Sequence, residues 1–334
     1  MAVVGLTPMN RAHGILLVLA LLTTGLAGCI GAPTDELVPE ESSDDIRAES
    51  RGGSLGARGT VEQDAALCDV GAVGAAVAWC ATRTSTLAGT VVDLTVLDTR
   101  LASFNGDVLV QRGDGAAWSL VTVMTARGNS EADALANLDR ITYTWDTEDA
   151  GETFLEAKAE VKDSQQKSEA RLGATMRLIM PSDLDLALAA STANGDVVHA
   201  EGPARSLFLT TANGDIDATA DVRFASLTTS NGDITATLTP VANGALAFTT
   251  ANGAIEVALP ETPQIGYHAH GSTANGEVDI RLKDGQLSDC PQGSQYYTPP
   301  CNDRTFTTSG RNGRAVRVDV EAGTSNGSIT ITPA

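Results

Sequence analysis

Residues 207–236 read Leu-Phe-Leu-Thr-Thr-Ala-Asn-Gly-Asp-Ile-Asp-Ala-Thr-Ala-Asp-Val-Arg-Phe-Ala-Ser-Leu-Thr-Thr-Ser-Asn-Gly-Asp-Ile-Thr-Ala, two passes through one phrase. Each pass alternates apolar and polar residues, breaks at Asn-Gly, and resumes the alternation. The same corner stands at Asn194-Gly195, Asn213-Gly214, Asn231-Gly232, Asn252-Gly253 and Asn275-Gly276, each preceded by Ser/Thr-Thr-Ala/Ser, and Thr324-Ser325-Asn326-Gly327 closes the series. Looser relatives are Phe104-Asn105-Gly106, Ala242-Asn243-Gly244 and Arg311-Asn312-Gly313. From Asn194 to Asn275 the successive asparagines stand 19, 18, 21 and 23 residues apart.

Aligned on the asparagine, the position six before holds Leu188, Leu207, Leu246 and Val320, and four before holds Leu209, Leu227 and Phe248. Three after come Val197, Ile216, Ile234, Ile255, Val278 and Ile329; five after come Ala218, Ala236, Val257, Ile280 and Ile331. A period of two on both sides predicts a half-buried strand entering and another leaving each corner. Asn-Gly supplies the positive φ that a tight corner demands. It also suits an antiparallel hairpin, so a β-sandwich or meander is the alternative. The sameness of the flanking Thr and Ala/Ser favours stacking, because equivalent corner residues of a solenoid lie on one another and can share hydrogen bonds. The expected fold is therefore all-β, a solenoid with coils of about 20 residues. Its ends require caps, for which 60–180 and the C-terminal residues are the candidates.

Outside the repeat, the N-terminus reads as an address. An apolar run Ile15–Leu22 is too short to span a bilayer, which takes roughly 20 residues, but it fits a signal peptide. Leu26-Ala27-Gly28-Cys29 then resembles a prokaryotic lipobox, which implies cleavage before Cys29 and lipidation of its thiol. Two acyl chains anchor stably where one is marginal. From 29 to 60 the chain is rich in Pro, Gly, Ser and acids, the composition of a disordered tether. The expected organisation is a signal peptide at 1–28, a tether at 29–60, a β-rich part with one short helix at 61–180, and the repeat domain at 181–334 with an insert at 282–311. That places the protein outside the cytoplasm, bound by lipid to the outer face of the cell membrane or to an outer membrane. Beyond Cys29, four cysteines remain, Cys68, Cys80, Cys290 and Cys301, and the local pairings are the expected disulfides of an exported protein. The alternative, zinc, lacks any CxxC or paired-histidine spacing beside them.

The repeats from about Ser103 to Ala334 resemble the putative-adhesin β-strand-repeat family of bacterial and archaeal surface proteins. Asn105-Gly106-Asp107-Val108-Leu109-Val110 is similar to that family's opening strands, Ser130–Leu138 to its short helix, and Leu178–Leu186 to its strand-proline-strand lead. The resemblance implies a β-helical fold and an adhesive or surface role, and it brings no catalytic residues. The insert before Asn326 and the segment 60–100 depart from the pattern.

The net charge of −20 leaves no basic footprint for nucleic acid. Asp107, Asp196, Asp215, Asp233 and Glu277 follow corners and would form an acidic line, broken by Ala254 and Ser328. Turn chemistry explains them better than calcium, which needs six to eight oxygens. They are evenly repeated rather than clustered, unlike the carboxylate pair of a polysaccharide-cleaving enzyme. His268 and His270 would share one strand face without a third ligand nearby, and His199 stands alone. No nucleophile-elbow, phosphate-loop or zinc-protease motif occurs. The insert Cys290–Cys301 holds Tyr296 and Tyr297 beside Pro299 and Pro300, the densest aromatic spot and the candidate contact loop. The expected function is a non-enzymatic surface module without cofactor or metal. Its expected partners are the membrane and a surface glycan or envelope protein. The alternatives are a purely structural spacer and an extracytoplasmic polysaccharide-active enzyme.

Overall fold

A computed structural model describes residues 54–67, 79–149, 152–162, 172–288 and 301–334. All of these belong to one compact unit, Leu37–Ala334. The expectations for the signal peptide, Cys29, the tether up to residue 53, Cys68, Cys290, Tyr296 and Tyr297 lie outside the described residues.

The repeats form a two-sheet β-solenoid in which each coil has one strand entering and one strand leaving an Asn-Gly corner. Entering strands build the first sheet, in the order β3 (Val96–Ala102), β9 (Asp185–Asn194), β11 (Pro203–Asn213), the second half of β12 (Ile216–Thr228), the second half of β13 (Ile234–Asn252), β19 (Val316–Asn326) and β15 (Ile265–Asn275). Leaving strands build the second sheet, in the order β4 (Val108–Gly113), β10 (Val197–His199), the first half of β12, the first half of β13, β14 (Ile255–Leu259), β20 (Ile329–Pro333) and β16 (Val278–Ile280). Every pair within these two series is parallel, so the antiparallel alternative does not hold for the repeats. The apolar positions read from the sequence face inward: Leu207, Leu209, Leu227 and Ile234 are fully buried, and Val197, Ile255 and Ile329 with them.

The corners stack with residue-for-residue identity. Asn213 Nδ2 donates to Asn194 Oδ1 at 2.8 Å, Asn231 to Asn213 at 2.9 Å, Asn252 to Asn231 at 2.9 Å, Asn326 to Asn252 at 2.8 Å and Asn275 to Asn326 at 2.9 Å. Asn194 donates in turn to Asn105, which brings one of the looser copies into the ladder. Two residues before each asparagine a buried threonine donates its hydroxyl to the glycine carbonyl one coil back: Thr211 to Gly195 at 2.9 Å, Thr229 to Gly214, Thr250 to Gly232 and Thr273 to Gly327 at 3.0 Å, and Thr324 to Gly253 at 3.1 Å. Asn243-Gly244 and Asn312-Gly313 do not join; the first lies within β13 and the second in a short 3-10 turn at Arg311–Gly313.

The strand order departs from chain order at both ends. The copy at Asn326 does not follow the copy at Asn275 in space; it lies between the coils of Asn252 and Asn275. The expectation that the C-terminal residues cap the stack is corrected accordingly. The cap on that side is the insert: β18 (Asp303–Thr308) pairs antiparallel with the outer edge of β15, and β17 (Gly285–Leu287) pairs antiparallel with β18. With that edge taken, the last coil is held on both sides by earlier ones. At the other end, β7 (Glu152–Val161) and β8 (Gly173–Pro181) form a coil outside β3 and β4, although they come later in the chain.

Antiparallel strands finish this cap: β5 (Ala117–Gly128) on β8, β2 (Trp79–Thr90) on β5, β1 (Arg58–Leu67) on β2, and β6 (Ile141–Asp149) on β7. Capping by the region around 60–180 is thus the observed arrangement. The expected helix is α1, Glu131–Leu138, started by Ser130 Oγ accepting from Asp133 N at 3.1 Å and seated by buried Ala134 and Leu138. Order begins before residue 60, since Leu55 is 2% exposed and its carbonyl accepts from Trp118 Nε1 at 2.6 Å.

The corner glycines hold φ between +143° and +159° at Gly195, Gly214, Gly232 and Gly253. The close approach of the coils excludes a side chain there more firmly than φ does. A Cβ on Gly232 would stand 1.9 Å from the Gly214 carbonyl oxygen. Gly232→Ala should therefore cost about 3 kcal/mol or more in urea unfolding. Gly323→Ala, whose added Cβ meets nothing within 4 Å, should stay within about 0.5 kcal/mol of wild type.

Candidate functional site

The acidic line sits where the sequence put it, directly after the corners, and its carboxylates are engaged with backbone. Asp107 Oδ1 accepts from Asp196 N at 3.0 Å, Asp196 Oδ1 from Asp215 N at 2.8 Å, Asp215 Oδ1 from Asp233 N at 2.8 Å, and Asp233 Oδ1 from Ala254 N at 2.7 Å. Each carboxylate caps an N–H of the next coil, which is a local structural duty. The row stops at Ala254, which has no oxygen to offer, and Glu277 lies two corners further along the stack. Among the described residues no group of three His, Cys, Asp or Glu is placed to hold a metal ion.

The histidine pair lies on the outer face of β15. His268 Nδ1 is 2.9 Å from Thr307 Oγ1. His270 is bracketed by carboxylates, with Nδ1 2.8 Å from Glu321 Oε1 and Nε2 3.5 Å from Asp303 Oδ1. The Glu321 hydrogen bond is the main cause that raises its pKa above the usual imidazole value, with the charges of Glu321 and Asp303 adding to it. An imidazole held toward its cationic form by two carboxylates is a poor metal ligand and a good clamp. It joins β15, β19 and β18. The nearby depression beside Ala245, Ala247, His268 and Asp319 holds only about 100 Å³. A wider hollow of about 500 Å³ at the far end is lined by Asp93, Leu94, Ser182 and Asp183 and stands open to solvent.

The two outer faces differ in charge. On the first sheet, the register sets Ala189, Phe208, Ser226 and Ala247 in one outward row and Ser191, Thr210, Thr228 and Thr249 in the next. No side chain in these two rows is charged across four coils. Phe208 stands in the first row, 40% exposed. Glu321 and His270 continue that row on one side, and Arg100 and Glu156 on the other. On the second sheet the outward row reads Asp217, Thr235, Glu256, Thr330 and Asp279, an acid on every other coil.

The model of the Toastrack family (DUF4097) matches residues 38–295, well over half of the chain. The chain belongs to the Toastrack family. The match begins upstream of Ser103, where the repeat resemblance starts, and ends before the last corner at Asn326. Two solved structures are similar. One is a putative cell adhesion protein from Clostridium sporogenes ATCC 15579, 9% identical with a TM-score of 0.40, covering 82% of this chain and 100% of that chain. The other is a putative adhesin from Bacteroides fragilis NCTC 9343, 12% identical with a TM-score of 0.25, covering 74% of this chain and 96% of that chain. No curated protein matches the sequence.

Two residues of this Toastrack domain escape a reading for motifs. Arg112 reaches across the bend opposite the corners and donates to the carbonyls of Leu184 at 2.8 Å, Pro181 and Glu201 at 3.1 Å, and Pro203. Burial lowers its pKa to about 10 despite nearby Asp185 and Asp183. His199 is an interior residue, 1% exposed, stacked between Val110 and Ala218. Its place was legible: it stands five after Asn194, where other copies carry Ala218, Ala236 and Val257. Nδ1 lies 3.0 Å from Thr219 O, Nε2 has no partner among the described residues, and burial lowers its pKa to about 4.

Two predictions follow from these placements. A depressed histidine pKa contributes stability that is full above the unfolded value near 6.5 and is lost as pH falls through the folded value of about 4. Wild type should therefore lose about 3 kcal/mol more than His199→Val across that window, read by urea unfolding at several pH values. Ala254→Asp, which extends the carboxylate row toward the Ser328 N–H, should raise stability by about 1 kcal/mol in moderate salt.

Proposed function

We propose that this chain is an exported lipoprotein, anchored through Cys29, whose Toastrack domain binds or scaffolds at the cell envelope through the uncharged face around Phe208. The observation that carries the reading is the segregation of charge. On a chain of net charge −20, two outward rows across four adjoining coils carry none. A flat array of Ser, Thr and Ala around one aromatic ring offers hydroxyls and apolar surface without a desolvation cost for ions. Such a surface suits broad contact with an uncharged polymer, a surface glycan or an envelope protein.

The lipobox Leu26–Cys29 and the acidic tether supply the anchor in this reading. In this reading a Cys290–Cys301 bridge holds the insert and a Cys68–Cys80 bridge holds the cap, each pair taken by proximity in sequence. Tyr296 and Tyr297 supply a second contact in this reading. A purely structural spacer is the second reading, favoured by the unbroken hydrogen-bonded ladder from Asn105 to Asn275. An enzyme stands last, since the corner carboxylates are engaged with backbone.

Retention of the mature domain on insoluble neutral polysaccharides and on envelope fractions tests the reading. Phe208→Glu should lower retention about tenfold or more with unchanged circular dichroism, and Tyr296→Ala/Tyr297→Ala should lower it less. If wild type is retained on neither material, the spacer reading replaces this one. Cys29→Ser should move the protein from the membrane to the soluble fraction; recovery of unprocessed wild type from the cytoplasm would overturn the anchor.

A further inference from the structure

The asparagine ladder has two unlike ends. At its start, Asn105 Nδ2 donates to Leu172 O at 3.0 Å and Asn105 O accepts from Ala174 N at 2.8 Å, so that corner is closed by the outer coil. At its finish, Asn275 donates to Asn326 Oδ1 at 2.9 Å, but no donor among the described residues reaches Asn275 Oδ1. The backbone repeats the asymmetry. In six corners the glycine N–H donates to the asparagine carbonyl of the neighbouring coil. These bonds are Gly106 to Asn194 at 2.7 Å, Gly195 to Asn213 at 2.9 Å, Gly214 to Asn231, Gly232 to Asn252 and Gly253 to Asn326 at 3.0 Å, and Gly327 to Asn275 at 3.1 Å.

Gly276 is the seventh corner glycine, and its N–H meets no acceptor among the described residues. The segment Cys301–Asn302 crosses this end of the stack. It accepts from Thr273 N at 2.8 Å and from Val278 N at 2.7 Å, on either side of the corner, and passes Gly276 by.

We propose that Asn275-Gly276 is a site of spontaneous covalent modification, the first of the nine Asn-Gly pairs in the chain to convert to isoaspartate. In this reaction the Gly276 backbone nitrogen gives up its proton to solvent base and attacks Asn275 Cγ. A new C–N bond closes a succinimide ring, and the side-chain nitrogen leaves as ammonia. Water then opens the ring. Attack at the former backbone carbonyl gives isoaspartate, and attack at the former side-chain carbonyl gives aspartate. The net change is one water consumed and one ammonia released, with no oxidant or cofactor.

Two properties select this corner. Among the described residues the attacking nitrogen has no acceptor, whereas its six equivalents must first break a hydrogen bond. The attacked amide lacks the second ladder bond that immobilises the amides inside the stack. The two pairs outside the ladder are held: Gly313 N donates to Gly310 O at 2.9 Å, and Asn243 Oδ1 accepts from Arg317 N at 2.8 Å. Either product loses the Asn275 Nδ2 donor to Asn326 Oδ1: aspartate sets a carboxylate against that oxygen, acceptor against acceptor, and isoaspartate draws Cγ into the main chain, so the coil that carries the insert is loosened.

The test is peptide mapping of the purified mature protein after incubation at mildly alkaline pH, with isoaspartyl methyltransferase labelling as a second readout. Folded protein should accumulate isoaspartate at 275 about tenfold faster than at 231, the effect of one hydrogen bond. In urea, where every corner is open, the two rates should converge. The proposal is overturned if another Asn-Gly pair converts first in the folded chain. It is equally overturned if 275 resists conversion over the time in which unfolded chain converts, or if the ratio of rates is the same in urea.

Discussion

The contact of one corner glycine on the next sets the terms for the whole molecule. With Gly232 so close to Gly214 that a methyl group would collide with its carbonyl oxygen, the coils approach to the spacing of paired strands even where the chain turns. At that spacing the groups beside the glycine have only their equivalents to bond. Asparagine amides meet asparagine amides, threonine hydroxyls meet the glycine carbonyl one coil back, and carboxylates meet the N–H one coil on. A single coil leaves all these groups without partners, so stability lies between coils rather than within them.

Concentrating polar chemistry at the corners frees the outer faces for other work. The carboxylates after the corners would pass for a cation site on composition alone, but four aspartates, Asp107, Asp196, Asp215 and Asp233, each spend Oδ1 on a backbone N–H of the next coil. The remaining acids on the second sheet alternate with threonine along the stack, while the first sheet presents two rows without charge. Like charges packed on every coil of one face would repel across a strand spacing. Alternation with threonine reduces that repulsion and still keeps a strongly acidic chain soluble.

The ends of the stack show why a repeat cannot be extrapolated as a simple series. At both ends the outermost coil is followed inward by one that is distant in sequence. The final coil, β19 with β20, lies between two coils formed earlier in the chain, so its contacts are almost entirely non-local. Its neighbours, β13 and β14 on one side and β15 and β16 on the other, all precede it in the chain, so its pairings close long loops. The insert has a structural part in this, because β18 closes the outer edge of β15 and leaves the inner one for β19.

The sequence by itself determined the corner, the period and the sidedness. Alternation on both sides of Asn-Gly fixed which residues face inward, and the sameness of Thr and Ala/Ser marked parallel stacking, because only stacked copies gain from identical neighbours. The same alignment also held the signal for His199, five residues after Asn194, which a search for motifs passed over as a lone histidine. Only the tertiary structure decided which copy lies against which. A corner at Asn252 is chemically as ready for Asn275 as for Asn326, so the choice rests on what occupies the outer edge of β15. The clamp made by Arg112 and the uncharged face around Phe208 were likewise hidden, for each depends on residues from several coils brought together by register, a relation that no local spacing encodes.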